Sequence, residues 1–154
     1  MVNHLASALL IAWIKSCALV YSVDPSFAQA VAIVESRAPG GGELEMRVGR
    51  LGRSKYWGPM GLNQDCFKDK ENVSDPFLNV YWGVKALARY PADEIRSLKK
   101  YNSSYNNSYY KEIVRLKKKL KNNKYCDIKI TSRSDVASTG TALTTTKPLG
   151  RFRQ

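Results

Sequence analysis

Histidine is nearly absent from this 154-residue chain: His4 is the only one, and it stands beside just three cysteines, Cys17, Cys66 and Cys126. No Cys/His cluster with ligand spacing exists, which argues against a zinc hydrolase, and no metal or other cofactor is expected. Three cysteines do not make a disulfide framework. Cys17 lies in an apolar helical segment and reads as a buried thiol, whereas sequence does not decide whether Cys66 and Cys126 pair. Long apolar runs are also missing. The most apolar stretch, Met1 to Tyr21, is interrupted by Lys15 and is too short to span a bilayer, so no transmembrane segment is expected. It has no Lys or Arg ahead of its apolar part and no clear small-residue cleavage site. It therefore reads as a buried first helix, with an uncleaved export signal as the alternative.

Acidic residues are scarce relative to basic ones, 13 Asp and Glu against 25 Lys and Arg, a formal charge of +12. The imbalance is uneven. Up to Tyr110 there are 13 basic and 10 acidic residues, a net of +3; from Lys111 onward there are 12 and 3, a net of +9. The C-terminal part carries the field, which suits an anionic cell wall, nucleic acid or an acidic partner protein as well as a merely solvated face. No recognised nucleic-acid reading motif accompanies the charge, so nucleic acid is the less favoured partner.

Apolar residues make up 44% of the chain, enough for one domain with a real core. Its helices are legible in order. The first covers about His4 to Tyr21, capped by Asn3, with Leu5, Leu9, Trp13, Cys17 and Val20 at helical spacing. The second lies in the stretch Val23 to Arg37, starting at Pro25 and stopped by Arg37-Ala38-Pro39 and the glycines after them. Gly40 to Trp57 is a glycine-rich, basic excursion with room for a short hairpin. Ser74-Asp75-Pro76 opens a helix running to about Tyr90, with Asn79 and Gly83 sharing one face. Another covers about Ala92 to Lys100, and a polar loop follows. The last covers Tyr109 to Lys121, with Tyr110, Ile113, Leu116 (or Lys117) and Leu120 inward and Lys111, Arg115, Lys118, Lys119 and Lys121 outward. Cys126 to Ile130 alternates like a strand. Beyond Thr131 the chain is Ser, Thr, Gly and basic residues, a low-complexity tail without core-forming content. The domain division is 1–124 for the helical unit and 125–154 for the strand and basic tail.

The Val23 to Arg37 helix is the stretch with chemical content. Asp24 is a good N-cap and Pro25 fits the first helical position. Phe27, Ala30, Val31 and Val34 form its apolar stripe, and Glu35 follows at the C-terminal end. A glutamate near a helix end is ordinarily solvated. Here the dipole and the apolar neighbours both favour the protonated acid, which is what general-acid cleavage of a glycosidic bond requires.

Four features stand in order: Glu35-Ser36 at a helix end, the turn Gly58 to Gln64, Asn79 on an Asp-Pro-initiated helix, and Tyr101-Asn102 before a final amphipathic helix. This series, over roughly His4 to Leu120, resembles the lytic transglycosylases, the goose-type branch of the lysozyme-like fold. The resemblance implies a mainly α, lysozyme-like α+β architecture, a single helical lobe around a glycan cleft. It implies Glu35 as catalytic acid, Ser36 as its usual follower, Tyr101 as the aromatic that holds and tunes the acid, and Asn102 as the amide behind it. Tyr109 or Tyr110 matches the aromatic opening the last helix. The family's central turn usually reads Gly-Leu-Met-Gln, and two registers fit here. Gly61-Leu62-Asn63-Gln64 keeps the Gln; Gly58-Pro59-Met60-Gly61 keeps the Met. Met60, Gly61, Asn63 and Gln64 are thus all substrate-binding candidates, with Trp57, Tyr56 and Tyr105 as stacking surfaces.

The implied substrate is the glycan strand of peptidoglycan. A hydrolase needs a second carboxylate, and none stands in a recognisable motif. A single glutamate acting as acid and then base yields 1,6-anhydro-muramic acid ends instead. Glu43 and Glu45 on the excursion are the candidates for a second carboxylate if the enzyme is a muramidase. A non-catalytic wall-binding module with the same fold is the third reading. Action on a wall without an evident export signal points to a phage virion acting in the host periplasm, with an exported bacterial envelope protein as the alternative. The tail would dock on other virion or envelope-complex proteins.

Overall fold

A computed structural model describes residues 4–52, 55–67, 72–122 and 128–131. The expected Asn3 cap, the Cys66–Cys126 pairing and the tail beyond Thr131 lie outside the described residues. Those described are mainly helical: α1 (His4–Val20), α2 (Pro25–Ser36), α3 (Pro76–Leu87), α4 (Glu94–Tyr101) and α5 (Asn107–Asn122), with strands β1 (Glu45–Arg47), β2 (Tyr56–Trp57), β3 (Leu62–Asn63) and β4 (Lys129–Thr131).

Helix α2 is the centre of the molecule. Phe27 to Ile33 are all buried, and the helix packs against α1 on one side and α5 on the other. Three alanines (28, 30 and 32) present little bulk, so neighbours approach closely without voids. The Asp24 carboxylate accepts from the Ser26 N–H at 2.9 Å and the Phe27 N–H at 3.4 Å, with Pro25 where no donor is needed. The helix stops at Ser36, as the following residues predict, because Arg37 turns extended (φ −59, ψ 130) ahead of Ala38-Pro39.

Other boundaries shift for similar local reasons. Asp75 caps α3 through the Phe77 and Leu78 N–H groups, both at 2.9 Å. That helix ends at Leu87 and not near Tyr90, since the chain tightens into turns (Arg89 N–H to Ala86 O, Asp93 N–H to Tyr90 O) around Pro91. Helix α5 begins two residues early, at Asn107, where the Asn106 side chain accepts from the Tyr109 N–H at 2.9 Å.

The buried face of α1 differs from the expected one. Leu10, Ile14, Cys17 and Ala18 enter the core, whereas Leu5, Leu9, Trp13, Leu19 and Val20 are exposed. The segment is apolar on nearly every side, so its spacing did not single out the inward face. The buried Cys17 thiol is as expected.

The glycine-rich excursion does form a short antiparallel hairpin, with Arg50 bridging Trp57 and the Leu51 N–H donating to Tyr56 O at 2.9 Å. Of two further strand pairs, one is long-range and the other local. β1 pairs in parallel with β4, Met46 opposite Ile130, and β2 pairs antiparallel with β3 across the Gly58–Gly61 turn. Ile128 is buried in the core, so the packed unit extends past residue 124 to Thr131.

Gly83 is where α3 meets that turn. A Cβ there would lie 2.4 Å from both the Cβ and the Cγ of the fully buried Met60. Gly83→Ala is therefore expected to destabilise the fold by about 1–3 kcal/mol through overpacking, despite alanine's better helix propensity. Urea denaturation, with an unchanged m-value and a lowered midpoint, checks this.

Candidate active site

Glu35 is the penultimate residue of α2, and it meets three other elements. The Tyr109 hydroxyl, from the first turn of α5, donates to Glu35 Oε1. The Asn102 Nδ2, at the end of α4, reaches the same oxygen at 3.5 Å. On the other side lies Gly61, whose φ of +58 suits a residue without a side chain. A Cβ on Gly61 would stand 3.2 Å from Glu35 Oε2, so the turn's backbone is packed against the carboxyl group. Oε2 accepts no hydrogen bond among the described residues.

Glu35 is half-buried, with Oε1 turned to Tyr109 and Asn102 and Oε2 beside the Gly61 backbone. Desolvation pushes its pKa up to about 8, with the Tyr109 and Asn102 hydrogen bonds pulling the other way. The acid is thus protonated at neutral pH, as the sequence suggested, chiefly because it is desolvated. Burial and the nearby Glu35 raise the Tyr101 and Tyr109 hydroxyls well above the usual tyrosine value, so both stay protonated donors.

Two side chains hold the Gly58–Gly61 turn by its backbone. The Asn79 Oδ1 accepts from the Met60 N–H at 2.8 Å, while its Nδ2 donates to Trp57 O at 2.7 Å and Val73 O at 2.9 Å. The Tyr101 hydroxyl donates to Met60 O. Gly58, φ +68, leaves the space that Asn79 fills; a Cβ there would be 2.4 Å from the Asn79 Cγ. Asn79 and Tyr101 thus hold the turn whose Gly61 packs against Glu35.

The expected site residues therefore separate. Glu35, Gly61 and Asn102 come together. Tyr101 is close enough for the Glu35 charge to be felt, but the hydroxyl that Glu35 receives belongs to Tyr109, so the expected holding role passes to Tyr109. Ser36 is a buried fastener: it donates to Ala32 O at 2.7 Å, accepts from the Arg47 N–H at 3.0 Å, and its carbonyl accepts from Arg47 Nε at 2.9 Å. The Met60 side chain is core. Asn63 sits on β3 with its Oδ1 accepting from the Asp65 N–H at 3.0 Å, and Gln64 opens the 3₁₀ turn Gln64–Phe67 with its N–H on Lys55 O at 3.1 Å. Neither Asn63 nor Gln64 hydrogen-bonds to Glu35. Of the stacking candidates, Tyr105 packs edge-on against Tyr109, centroids 6.2 Å apart, with the Lys99 ammonium 5.6 Å from its ring.

The sequence reading placed Tyr110 on the inward face of this helix and left Tyr109 or Tyr110 as the aromatic opening it; the structure turns Tyr109 inward instead. The spacing Tyr109, Ile113, Leu116, all buried, marks the inward stripe of α5; Tyr110 is only half-buried.

Glu43 and Glu45 are held elsewhere. The Glu43 carboxylate pairs with Lys119 and Arg115, which keep it below the usual range, and Glu45 accepts from the Gly42 N–H at 2.9 Å and Thr131 Oγ1 at 3.1 Å. Arg37 bridges Glu112 and the Glu43 carbonyl, so this network ties the end of α2 to α5. Arg115 and Arg37 hold Glu112 down to about 2. Much of the basic face of α5 is engaged in the same way, with Lys117 and Lys121 on Asp24 and Lys117 on Glu94 as well.

A desolvated, protonated carboxylic acid with hydrogen-bond donors on one oxygen and the other oxygen open is a general-acid arrangement. Among the described residues no group of His, Cys, Asp and Glu is placed to hold a metal ion. Comparison of the chain with protein-family models, with curated proteins and with solved structures returns no match.

Proposed function

We propose that this chain is a peptidoglycan lytic transglycosylase that cleaves the β-1,4 bond between N-acetylmuramic acid and N-acetylglucosamine with Glu35 as both acid and base. The observation that carries the reading is the Glu35 carboxyl group, desolvated, with a pKa of about 8, and bonded by Tyr109 and Asn102 on one oxygen only. With Oε1 occupied as an acceptor, the proton resides on Oε2, beside the Gly61 backbone. It is delivered to the leaving oxygen as the bond breaks through an oxocarbenium-like transition state. The carboxylate so formed is charged, and the Tyr109 and Asn102 hydrogen bonds strengthen with that charge, so they stabilise the transition state more than the ground state. Glu35 then takes the proton of the muramic acid 6-hydroxyl. Attack by that oxygen closes the 1,6-anhydro ring, and its intramolecular position replaces water activation. The fold accordingly reads as lysozyme-like, with the glycan lying along Glu35, the 58–61 turn and the α4–α5 loop. We place the protein in a phage virion that opens the host wall locally.

Mass spectrometry of digested peptidoglycan tests this. Anhydro-muramic ends are expected from the wild type. Ordinary reducing ends would make it a hydrolase with a second carboxylate, and absence of fragments despite wall binding would make it a non-catalytic module.

Tyr109→Phe removes a bond that favours the ionised acid. The Glu35 pKa is expected to rise further, moving the alkaline limb of the activity–pH profile to higher pH while lowering the maximum rate. Carboxyl-carbon NMR titration of Glu35 checks the direction independently of activity.

A further inference from the structure

The described residues leave eight large apolar side chains exposed, and five of them, Leu5, Leu9, Trp13, Leu19 and Val20, lie on the outward face of α1. Leu5, Leu19 and Val20 are 66%, 68% and 77% exposed, far beyond a scattered surface leucine. A sixth, Phe77 of α3, continues the patch: its ring is 6.4 Å from that of Trp13, and its carbonyl accepts the Trp13 indole N–H at 2.9 Å. Beyond it the half-buried rings of Tyr21, Tyr81 and Trp82 stand edge to face at 6.0 and 5.2 Å. The patch is flanked by positive charge. Lys15 is the only charged side chain between Leu5 and Val20, and the Lys85 ammonium lies 4.9 Å from the Trp82 ring and 5.7 Å from the Tyr81 ring.

We propose that this α1–α3 face is a docking surface for an anionic lipid bilayer, with α1 lying flat in the interface. An aliphatic stripe bordered by Trp and Tyr, with lysines at its edge, is the composition that settles between head groups and acyl chains. The charge is complementary: α1 carries no acid from Leu5 to Val20, the acid on the α3 side is the capping Asp75, and the chain as a whole is +12. No described helix is long and apolar enough to cross a membrane, so the helix lies on the bilayer and does not span it. The opposite face of α1 is committed to the core through Leu10, Ile14 and Ala18, which leaves the outward face for the lipid without unfolding.

Sedimentation of the full chain with vesicles of equal phosphatidylcholine and phosphatidylglycerol tests the proposal. Binding is expected, and Leu9→Ser and Leu5→Ser are each expected to weaken it on the order of tenfold. Brominated lipid should quench fluorescence in the wild type and much less in Trp13→Phe. Leu5 and Leu9 are exposed, so thermal melts of their serine variants should match the wild type, and digestion of purified, lipid-free peptidoglycan should be unchanged. A failure here is thus distinct from a failure of the proposed activity. The proposal is overturned by no binding, by binding that salt abolishes and the leucine variants leave intact, or by a wild-type dimer that Leu9→Ser converts to monomer without any vesicle binding.

Discussion

Glu35→Gln is expected to remove cleavage while making the protein more stable at neutral pH. The loss of rate should be roughly 10²–10⁴-fold, the ordinary contribution of a positioned general acid, and larger if the same group also serves as base. Anhydro-muramic products should disappear with it. The gain in stability follows from the sign of the pKa shift. In the unfolded chain the acid titrates near 4.5; in the fold it titrates near 8. The folded state therefore holds a proton that the unfolded state has released, and the stability associated with Glu35 is full below pH 4.5 and falls as pH rises toward 8. Glutamine has no such dependence and still accepts from Tyr109 and donates through its amide. The melting temperatures of the two proteins should lie close together near pH 4 and diverge as pH approaches 8, with the variant the more stable by a few kcal/mol at most. Equal melting curves across that range would mean that Glu35 is not desolvated as described, whatever the activity assay returns.

Asn79→Ala should be the most damaging single change away from Glu35. The side chain is fully buried, and its amide satisfies the Met60 N–H and the carbonyls of Trp57 and Val73. Truncation leaves those groups without their partner in a dry interior and opens a space beside Gly58, which had no side chain of its own to fill it. A loss of about 3–5 kcal/mol is expected, from a buried network broken on one side. Asn79→Asp separates geometry from volume, since it keeps the acceptor for the Met60 N–H and loses the donor to both carbonyls. Chemical denaturation gives the stability of each. If the turn positions the acid, the residual activity of the folded fraction should fall in both, because Gly61 no longer meets Glu35 at the same place.

Much of this arrangement was readable from the chain itself. Asp24-Pro25 and Asp75-Pro76 are local signals, each complete within a few residues, and α2 and α3 begin where they stand. The apolar stripe of α2 and the position of Glu35 at its end follow from helical spacing. The α5 stripe was legible at Ile113 and Leu116, but extended backwards it was put on Tyr110, one residue past the Tyr109 that is buried. The buried side chain of Met60 was not legible, for a different reason. In a short glycine-bounded turn no periodicity says which side chain points inward, and the answer came from Gly83 and Asn79 on a helix about 20 residues further along the chain.

The same division runs through the whole molecule. By itself the sequence determined the helices, the Asp24 and Asp75 caps and the presence of one acid among apolar neighbours, because those depend on interactions within a turn or two. Tertiary structure alone decided that Tyr109 and not Tyr101 bonds that acid, that Ser36 is a fastener, that Glu43 is held by Arg115 and Lys119, and which face of α1 is buried. Each of these depends on residues that come together only when α2 packs between α1 and α5. Burial, which raises the Glu35 pKa, is a property of that packing.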